Sequence, residues 1–67
     1  MTLKELRKEK GMSQSDLADR VGLKQTTISQ YENGSRKPDL NTAKRIADTL
    51  NISLDTFFGS IVFQNEL

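Results

Sequence analysis

Two helical patterns in the sequence are separated by only three residues, Gly22-Leu23-Lys24. Ahead of this connection, Ser13 and Asp16 have the spacing of a helix-capping box, and apolar residues follow at helical spacing. After it, Ile28 and Tyr31 lie three apart in QTTISQYENG, as on the buried side of a short helix. A connection this short forces a sharp turn, and its glycine supplies the left-handed backbone that such a turn needs. The sequence therefore predicts a crossed pair of helices.

Capping and terminating residues predict five helices along the chain, and strand-like alternation never extends beyond a few residues. Most predicted starts have Ser, Thr or Asp at the N-cap, and the predicted ends lie at or beside Gly or Asn. The predicted N-caps are Thr2, Ser13, Asp39 and Ser53, and the predicted ends are Gly11, Val21 with Gly22, Asn33 with Gly34, Asn51 and Gly59. We therefore expect an all-α, compact five-helix domain over residues 1–59, followed by a C-terminal tail of residues 60–67.

The composition excludes several classes of function. The chain of 67 residues has no cysteine and no histidine, which excludes disulfides, an ordinary zinc site, thiol nucleophiles and the usual catalytic triads. It also lacks a glycine-rich phosphate loop and a carboxylate cluster at metal spacing. We therefore predict no enzyme activity, no metal and no cofactor, and no small-molecule ligand is evident from the sequence. Because no apolar run suits a signal peptide or a membrane span, we expect a soluble cytoplasmic protein.

The charged residues are distributed unevenly along the chain. All ten lysines and arginines lie in residues 1–45, whereas residues 46–67 contain three acidic residues and no base. A basic N-terminal part favours a polyanion as partner. Solvated charge without a partner is the alternative, and the charge pattern alone does not decide between the two.

The predicted third helix is unusual because its solvent face carries amides and hydroxyls. Thr and Ser form helices less well than the Lys, Glu and Arg that solvent faces more often carry. If the two apolar residues point inward, Gln25, Thr26, Ser29 and Gln30 share the opposite face. Glutamine can pair with the N6/N7 edge of adenine, and serine or threonine can meet several bases. This face therefore suits the reading of DNA bases, with a plain solvated surface as the alternative.

Over residues 3–58 the sequence resembles a known family, the phage repressor and Cro-like helix-turn-helix proteins, also called the XRE family. The segments that carry the resemblance are SQSDLADRVGLKQTTISQYENG, RKPDL and IADTLNISLD. The resemblance implies a lambda-repressor-like fold and a DNA-binding transcriptional regulator, which we expect to repress rather than activate transcription. Double-stranded DNA is the implied partner.

The resemblance also assigns roles to individual positions. The polar face of the third helix would read bases, and further side chains would contact the DNA backbone. The implied phosphate contacts are Gln14, Lys24, Thr27, Arg36 and Lys37. Arg7 and Glu32 match positions that form an internal ion pair in similar repressors, so we interpret that pair as structural.

The sequence departs from the family pattern in two places. Lys24 stands where many relatives cap the third helix with Ser or Thr, so we expect that helix to start less well capped. The recognition face also lacks arginine, the commonest reader of guanine, which favours targets that contain A·T base pairs.

The C-terminal segment GSIVFQNEL is too apolar to be a purely solvated tail. It could fold back onto the core, pair with the same segment of a second chain, or be disordered. We predict dimerisation, through an interface of Phe57, Phe58, Ile61, Val62 and Phe63. A homodimer on a pseudo-palindromic operator would place its recognition helices about 34 Å apart, one turn of DNA. The competing hypothesis is a protein-interaction module of the same fold, such as an antitoxin.

Overall fold

The structure, a computed structural model, describes residues 2–61, and it describes the side chains of residues 2–58. Within that range the chain forms five α-helices: α1 Leu3–Glu9, α2 Gln14–Val21, α3 Gln25–Asn33, α4 Leu40–Leu50 and α5 Leu54–Ile61. The predicted all-α, five-helix architecture is confirmed. None of the helices within residues 2–61 is long and apolar enough to cross a membrane.

Side chains cap the helix starts that the sequence predicts. At α1, the Glu5 N–H donates to Thr2 Oγ1 at 3.1 Å, and the Thr2 N–H donates to Glu5 Oε1 at 2.8 Å. Ser13 and Asp16 make the same reciprocal pair at the start of α2. The hydrogen bonds from the N-cap N–H groups lower the pKa of both acidic residues, Glu5 and Asp16. Acidic residues in the first turn therefore satisfy backbone donors that would otherwise have no partner in the helix.

The turn between α2 and α3 follows the predicted geometry. Gly22 has φ 73° and ψ 32°, the left-handed conformation, and the Leu23 N–H donates to the Ala18 carbonyl oxygen at 2.8 Å. Lys24 then occupies the N-cap of α3 and makes no side-chain capping hydrogen bond. The start of α3 is therefore less well capped than those of α1 and α2, as the sequence predicts.

An apolar wedge holds α2 and α3 together. Leu17 and Val21 on α2 and Ile28 and Tyr31 on α3 are all buried. Ala18, also buried, allows a close approach because a larger side chain would push the two helices apart. The helix with poor intrinsic propensity is therefore stabilised by packing rather than by its own sequence.

The remaining core joins α1, α4 and α5 to this pair. Helix α4 packs against α2 and α5, while α1 packs against α3 and α5. Among the side chains that the structure describes, the buried apolar ones of these three helices are Leu3, Leu6, Ala43, Ile46, Ala47, Leu50 and Phe57. Phe57 is 0% exposed, so it cannot offer surface to a second chain, and its predicted role in a dimer interface is wrong. Phe57 is the large apolar side chain through which α5 packs against the small core.

The end of α5 also differs from the prediction. The sequence predicts that Gly59 terminates this helix, but α5 continues through Gly59 to Ile61. Glycine in a helix interior costs about 1 kcal/mol relative to alanine, which destabilises a helix without breaking it. Because Phe57 fixes the preceding turn in the core, a single glycine does not end the helix.

A buried ion pair connects α1 to α3. Arg7 Nε lies 2.6 Å from Glu32 Oε2, and the side chains of both residues are only 6% exposed. Arg7 Nη2 donates to Glu32 Oε1 at 3.2 Å, which makes the contact bidentate. Arg7 Nη1 donates to the Met12 carbonyl oxygen at 2.8 Å, in the connection between α1 and α2. One guanidinium thus links two helices and a loop.

The ion pair also changes the titration of Glu32. Burial by itself would raise the pKa of Glu32, but hydrogen bonds from Arg7 and Gln14 and the positive charge of Arg7 outweigh it and lower the pKa below its ordinary value. A carboxyl group with a lowered pKa stabilises the fold above its unfolded pKa of about 4.3. That stabilisation is lost as the pH falls through the lower pKa of the folded state.

We predict that Gly22→Ala lowers the free energy of unfolding by about 1–2 kcal/mol, the price of a left-handed conformation for a residue with a Cβ. Space is not the cause, because a Cβ at this position would meet Arg45 Nη1 at 3.9 Å, an ordinary contact distance. Gly22→Asn should cost less, because asparagine adopts this conformation more readily. Urea unfolding of both variants tests this prediction, and an asparagine variant less stable than the alanine variant would contradict it.

We predict that Glu32→Gln lowers the free energy of unfolding at about pH 7 by about 3 kcal/mol, because Arg7 then remains buried without its counter-charge. Urea unfolding at a series of pH values should show the gap between wild type and variant narrowing below about pH 4.3, where Glu32 takes up a proton in the unfolded chain but is still ionised in the folded one. The control is Glu9→Gln, an exposed carboxylate on α1, which should change stability by less than about 0.5 kcal/mol. A gap independent of pH would show that the charge of Glu32 is not the cause.

Candidate nucleic-acid interface

The polar face of α3 points away from the core. Gln25, Thr26 and Gln30 are exposed, and Ser29 is half-buried beside them. Their position follows from the two anchors of the helix, Ile28 and Tyr31, whose burial turns the opposite side outward. The four predicted base-reading side chains therefore lie on one accessible face, which we call the recognition face.

The residues predicted to contact phosphates surround this face. Lys24, Arg36 and Lys37 are exposed, whereas Gln14 and Thr27 are half-buried. Lys24 precedes the first turn of α3, and the two other cations lie in the loop between α3 and α4. The Arg36 N–H donates to the Gln30 carbonyl oxygen at 3.3 Å, so the basic loop begins directly against the end of α3.

Two side-chain hydrogen bonds connect the recognition face to the buried ion pair, and a third joins the same face to Ser15. Gln14 Nε2 donates to Glu32 Oε1 at 3.0 Å, and Gln25 Nε2 donates to Gln14 Oε1 at 3.3 Å. Ser15 Oγ donates to Gln25 Oε1 at 2.9 Å. Two residues from the start of α2 thus hold the first residue of α3. We call Glu32, Gln14, Gln25 and Ser15 the amide chain.

The sequence predicts that Gln14 and Gln25 contact DNA, but it does not predict the amide chain. Ser15 carries no signal of its own, because an exposed serine in the first turn of a helix is ordinary. The second contact of Glu32 is also hidden, since Gln14 and Glu32 are 18 residues apart. Only the crossing of α2 and α3 brings these side chains together.

The predicted dimer interface lies partly outside the described residues. Phe58 is half-buried, and its ring centroid is 5.9 Å from that of Phe57 in the core. The side chain of Ile61, and the whole of Val62 and Phe63, lie beyond the part of the chain that the structure describes. Among the described side chains, Leu40 at the start of α4 is the exposed large hydrophobic residue, with 62% of its surface accessible.

Comparisons with known proteins agree with this arrangement. A family profile described as Helix-turn-helix matches residues 3–57. Relatives include the uncharacterized HTH-type transcriptional regulator YqaE of Bacillus subtilis, which is 38% identical over 96% of this chain and 59% of its own length. The antitoxin HipB of Escherichia coli is 38% identical over 78% of this chain and 59% of its own length. The cryptic phage CTXphi transcriptional repressor RstR of Vibrio cholerae is 36% identical over 79% of this chain and 47% of its own length.

These matches have two consequences. The chain spans less than two thirds of the length of these relatives, so the comparison concerns a domain. The expectation that this domain is not an enzyme is confirmed, because the profile that matches it is that of a non-enzymatic helix-turn-helix family. The profile match covers both crossed helices and nearly all of the described core. The chain belongs to the XRE family of helix-turn-helix proteins, the family that its sequence resembles.

Proposed function

We propose that the protein is a sequence-specific DNA-binding transcriptional repressor that acts in the cytoplasm as a homodimer on a pseudo-palindromic operator. The observation that carries the proposal is the exposed recognition face of α3, where amides and hydroxyls replace the charged residues of an ordinary solvent face. Such groups both donate and accept hydrogen bonds, as the base edges in the major groove require. The helix-turn-helix of this family supports the same reading.

The recognition face favours A·T-containing positions. Gln25 and Gln30 can each pair with the N6/N7 edge of adenine, while Thr26 and Ser29 can meet several bases or a thymine methyl group. No arginine lies on this face to read guanine. The proposed function therefore includes base reading by these four residues.

Contacts to the DNA backbone would position this face in the groove. The exposed cations Lys24, Arg36 and Lys37 flank α3 at both ends, where they can neutralise phosphates. Gln14 and Thr27 would add neutral hydrogen bonds to the same strands. Gln14 lies at the start of α2, where the positive end of the helix also favours a phosphate.

A homodimer follows from an argument about affinity. One helix-turn-helix offers few base contacts, each worth about 1–3 kcal/mol, and a second copy doubles that number. The proposed contact between subunits is formed by the apolar residues Phe58, Ile61, Val62 and Phe63. Occupation of the operator would then hinder RNA polymerase at a nearby promoter. The relative RstR is named a transcriptional repressor, which supports repression of transcription rather than activation.

Selection of bound duplexes from a random pool tests the proposal most directly. Two inverted half-sites, with centres about 10–10.5 base pairs apart, would support a two-fold dimer. A single half-site would contradict the homodimer, and a pool without enrichment would contradict sequence-specific binding.

A second candidate function is a protein-interaction module, such as an antitoxin. The similarity to the antitoxin HipB favours it. The two functions differ in what the purified protein does alone. A repressor shifts its selected duplex more strongly than a scrambled competitor of the same composition. A pure interaction module shifts both equally or not at all.

We predict that Gln30→Ala weakens binding to the selected duplex by about 1–3 kcal/mol and leaves binding to random DNA nearly unchanged, because it removes a base contact. Gln25→Ala should behave in the same way. Fluorescence anisotropy on both duplexes measures the effect. Thr49→Ala, on α4, is the control and should bind both duplexes as the wild type does. Equal losses on selected and random DNA would argue against base reading by these residues.

We predict that Arg36→Ala and Lys37→Ala weaken binding to all sequences alike, because they remove phosphate contacts. The slope of log affinity against log salt concentration should become shallower by about 0.9 for each variant. Lys44→Ala removes an exposed charge from α4 and is the matched control, with an expected slope close to wild type. A slope unchanged in Arg36→Ala would remove that residue from the proposed phosphate contacts.

A further inference from the structure

We propose that Glu32 and Ser15 determine the base preference of Gln25, although neither needs to touch DNA. Glu32, acting through Gln14, sets which end of the Gln25 amide faces α2, and Ser15 holds the amide in that orientation. This inference rests on the proposed function, because it concerns how the recognition face reads a base. It assigns to Glu32 a role beyond the ion pair with Arg7, and it adds Ser15 as a positioning residue.

The direction of the amide chain starts at Glu32. An ionised carboxylate only accepts hydrogen bonds, and the lowered pKa of Glu32 keeps it ionised at neutral pH. Gln14 must therefore turn its Nε2 toward Glu32, and the observed distance to Oε1 is 3.0 Å. A rotated Gln14 amide would place one oxygen against another at this distance. The charge of Glu32 therefore leaves Gln14 Oε1 to face Gln25.

The same pairing of an acceptor with a donor determines how the Gln25 amide is turned. Since Gln14 Oε1 only accepts, Gln25 must turn its own Nε2 toward it, at 3.3 Å. Gln25 Oε1 then lies 2.9 Å from Ser15 Oγ, which donates to it. A hydroxyl can donate or accept, so Ser15 does not choose the direction. It holds the amide in place after Glu32 and Gln14 have set the direction.

The orientation decides what Gln25 can still offer to a base. A glutamine amide has two N–H donors and two lone pairs, and the amide chain uses one of each. One donor and one acceptor remain on an exposed side chain at the start of α3. Adenine presents one acceptor, N7, beside one donor, N6–H₂, whereas guanine presents two acceptors, N7 and O6. A held Gln25 therefore matches adenine and mismatches guanine.

A binding experiment tests this inference on duplexes selected with the wild-type protein. The position that Gln25 reads is the one at which Gln25→Ala removes discrimination between bases. Affinities of wild type, Ser15→Ala and Ser15→Thr are then measured on two duplexes that differ only there, A·T against G·C. Ser15→Ala should reduce the preference for A·T about two- to tenfold, the usual effect of one hydrogen bond, and Ser15→Thr should retain it. Thr49→Ala is the control and should leave the preference unchanged.

Combining Ser15→Ala with Gln25→Ala separates positioning from direct contact. In the Gln25→Ala background, Ser15→Ala should have no effect on the ratio of the two affinities, because the side chain that Ser15 positions is absent. An equal loss on both duplexes, or an effect that persists without Gln25, would overturn the inference. Either result would make Ser15 a phosphate contact or a purely structural residue.

Nuclear magnetic resonance of the free protein provides a readout that does not depend on DNA. The side-chain amide resonances of Gln25 should shift in Ser15→Ala, and those of Gln14 and Gln25 should both shift in Glu32→Gln, while Thr49→Ala changes neither. Unchanged Gln25 resonances in Ser15→Ala would overturn the amide arrangement even if DNA binding is sequence-specific. If these resonances shift but the wild type selects no duplex, the proposed function fails, and the role in base reading fails with it.

Discussion

The bidentate ion pair between Arg7 and Glu32 is the interaction on which the arrangement of this domain depends. A chain of 67 residues buries only about 60% of the surface that it exposes when unfolded, so its core is thin and a few contacts must fix the relative positions of the helices. The pair places α1 against α3 and holds the Met12 carbonyl oxygen between α1 and α2. Because both side chains are buried, the two charges must remain together, which ties the pose of α3 to the rest of the molecule.

The recognition helix shows how tertiary structure can override local preference. Lys24 at its N-cap makes no side-chain capping hydrogen bond. The helix also contains Thr and Ser, which form helices less well than Lys, Glu or Arg. Ile28 and Tyr31 compensate by anchoring one side of the helix in the core shared with α2. On the other side, Gln25, Thr26 and Gln30 remain exposed. Packing and the proposed base reading therefore use mainly different side chains of the same nine-residue helix, and Glu32 connects the two through its bonds to Arg7 and Gln14.

Much of the fold could be predicted from the sequence because its signals are local. Capping residues such as Thr2 and Ser13 act within one helical turn, so their spacing in the sequence is also their spacing in the structure. Prediction failed where the outcome depended on distant packing: Phe57 is buried, and the helix runs through Gly59. The exposed side of α3 could be predicted from its period. The contacts of Ser15 and Gln14 could not, because they arise only when two helices cross.

The crossing of α2 and α3 has a consequence for how such a domain diverges. The Gln25 side chain is exposed and accepts a hydrogen bond from Ser15, so the two positions are not independent of each other. A side chain without an acceptor atom at position 25, such as lysine or leucine, would remove this hydrogen bond of the Ser15 hydroxyl. Exchanging residues 25–30 between relatives therefore moves only part of this hydrogen-bonded arrangement, unless the start of α2 is exchanged as well.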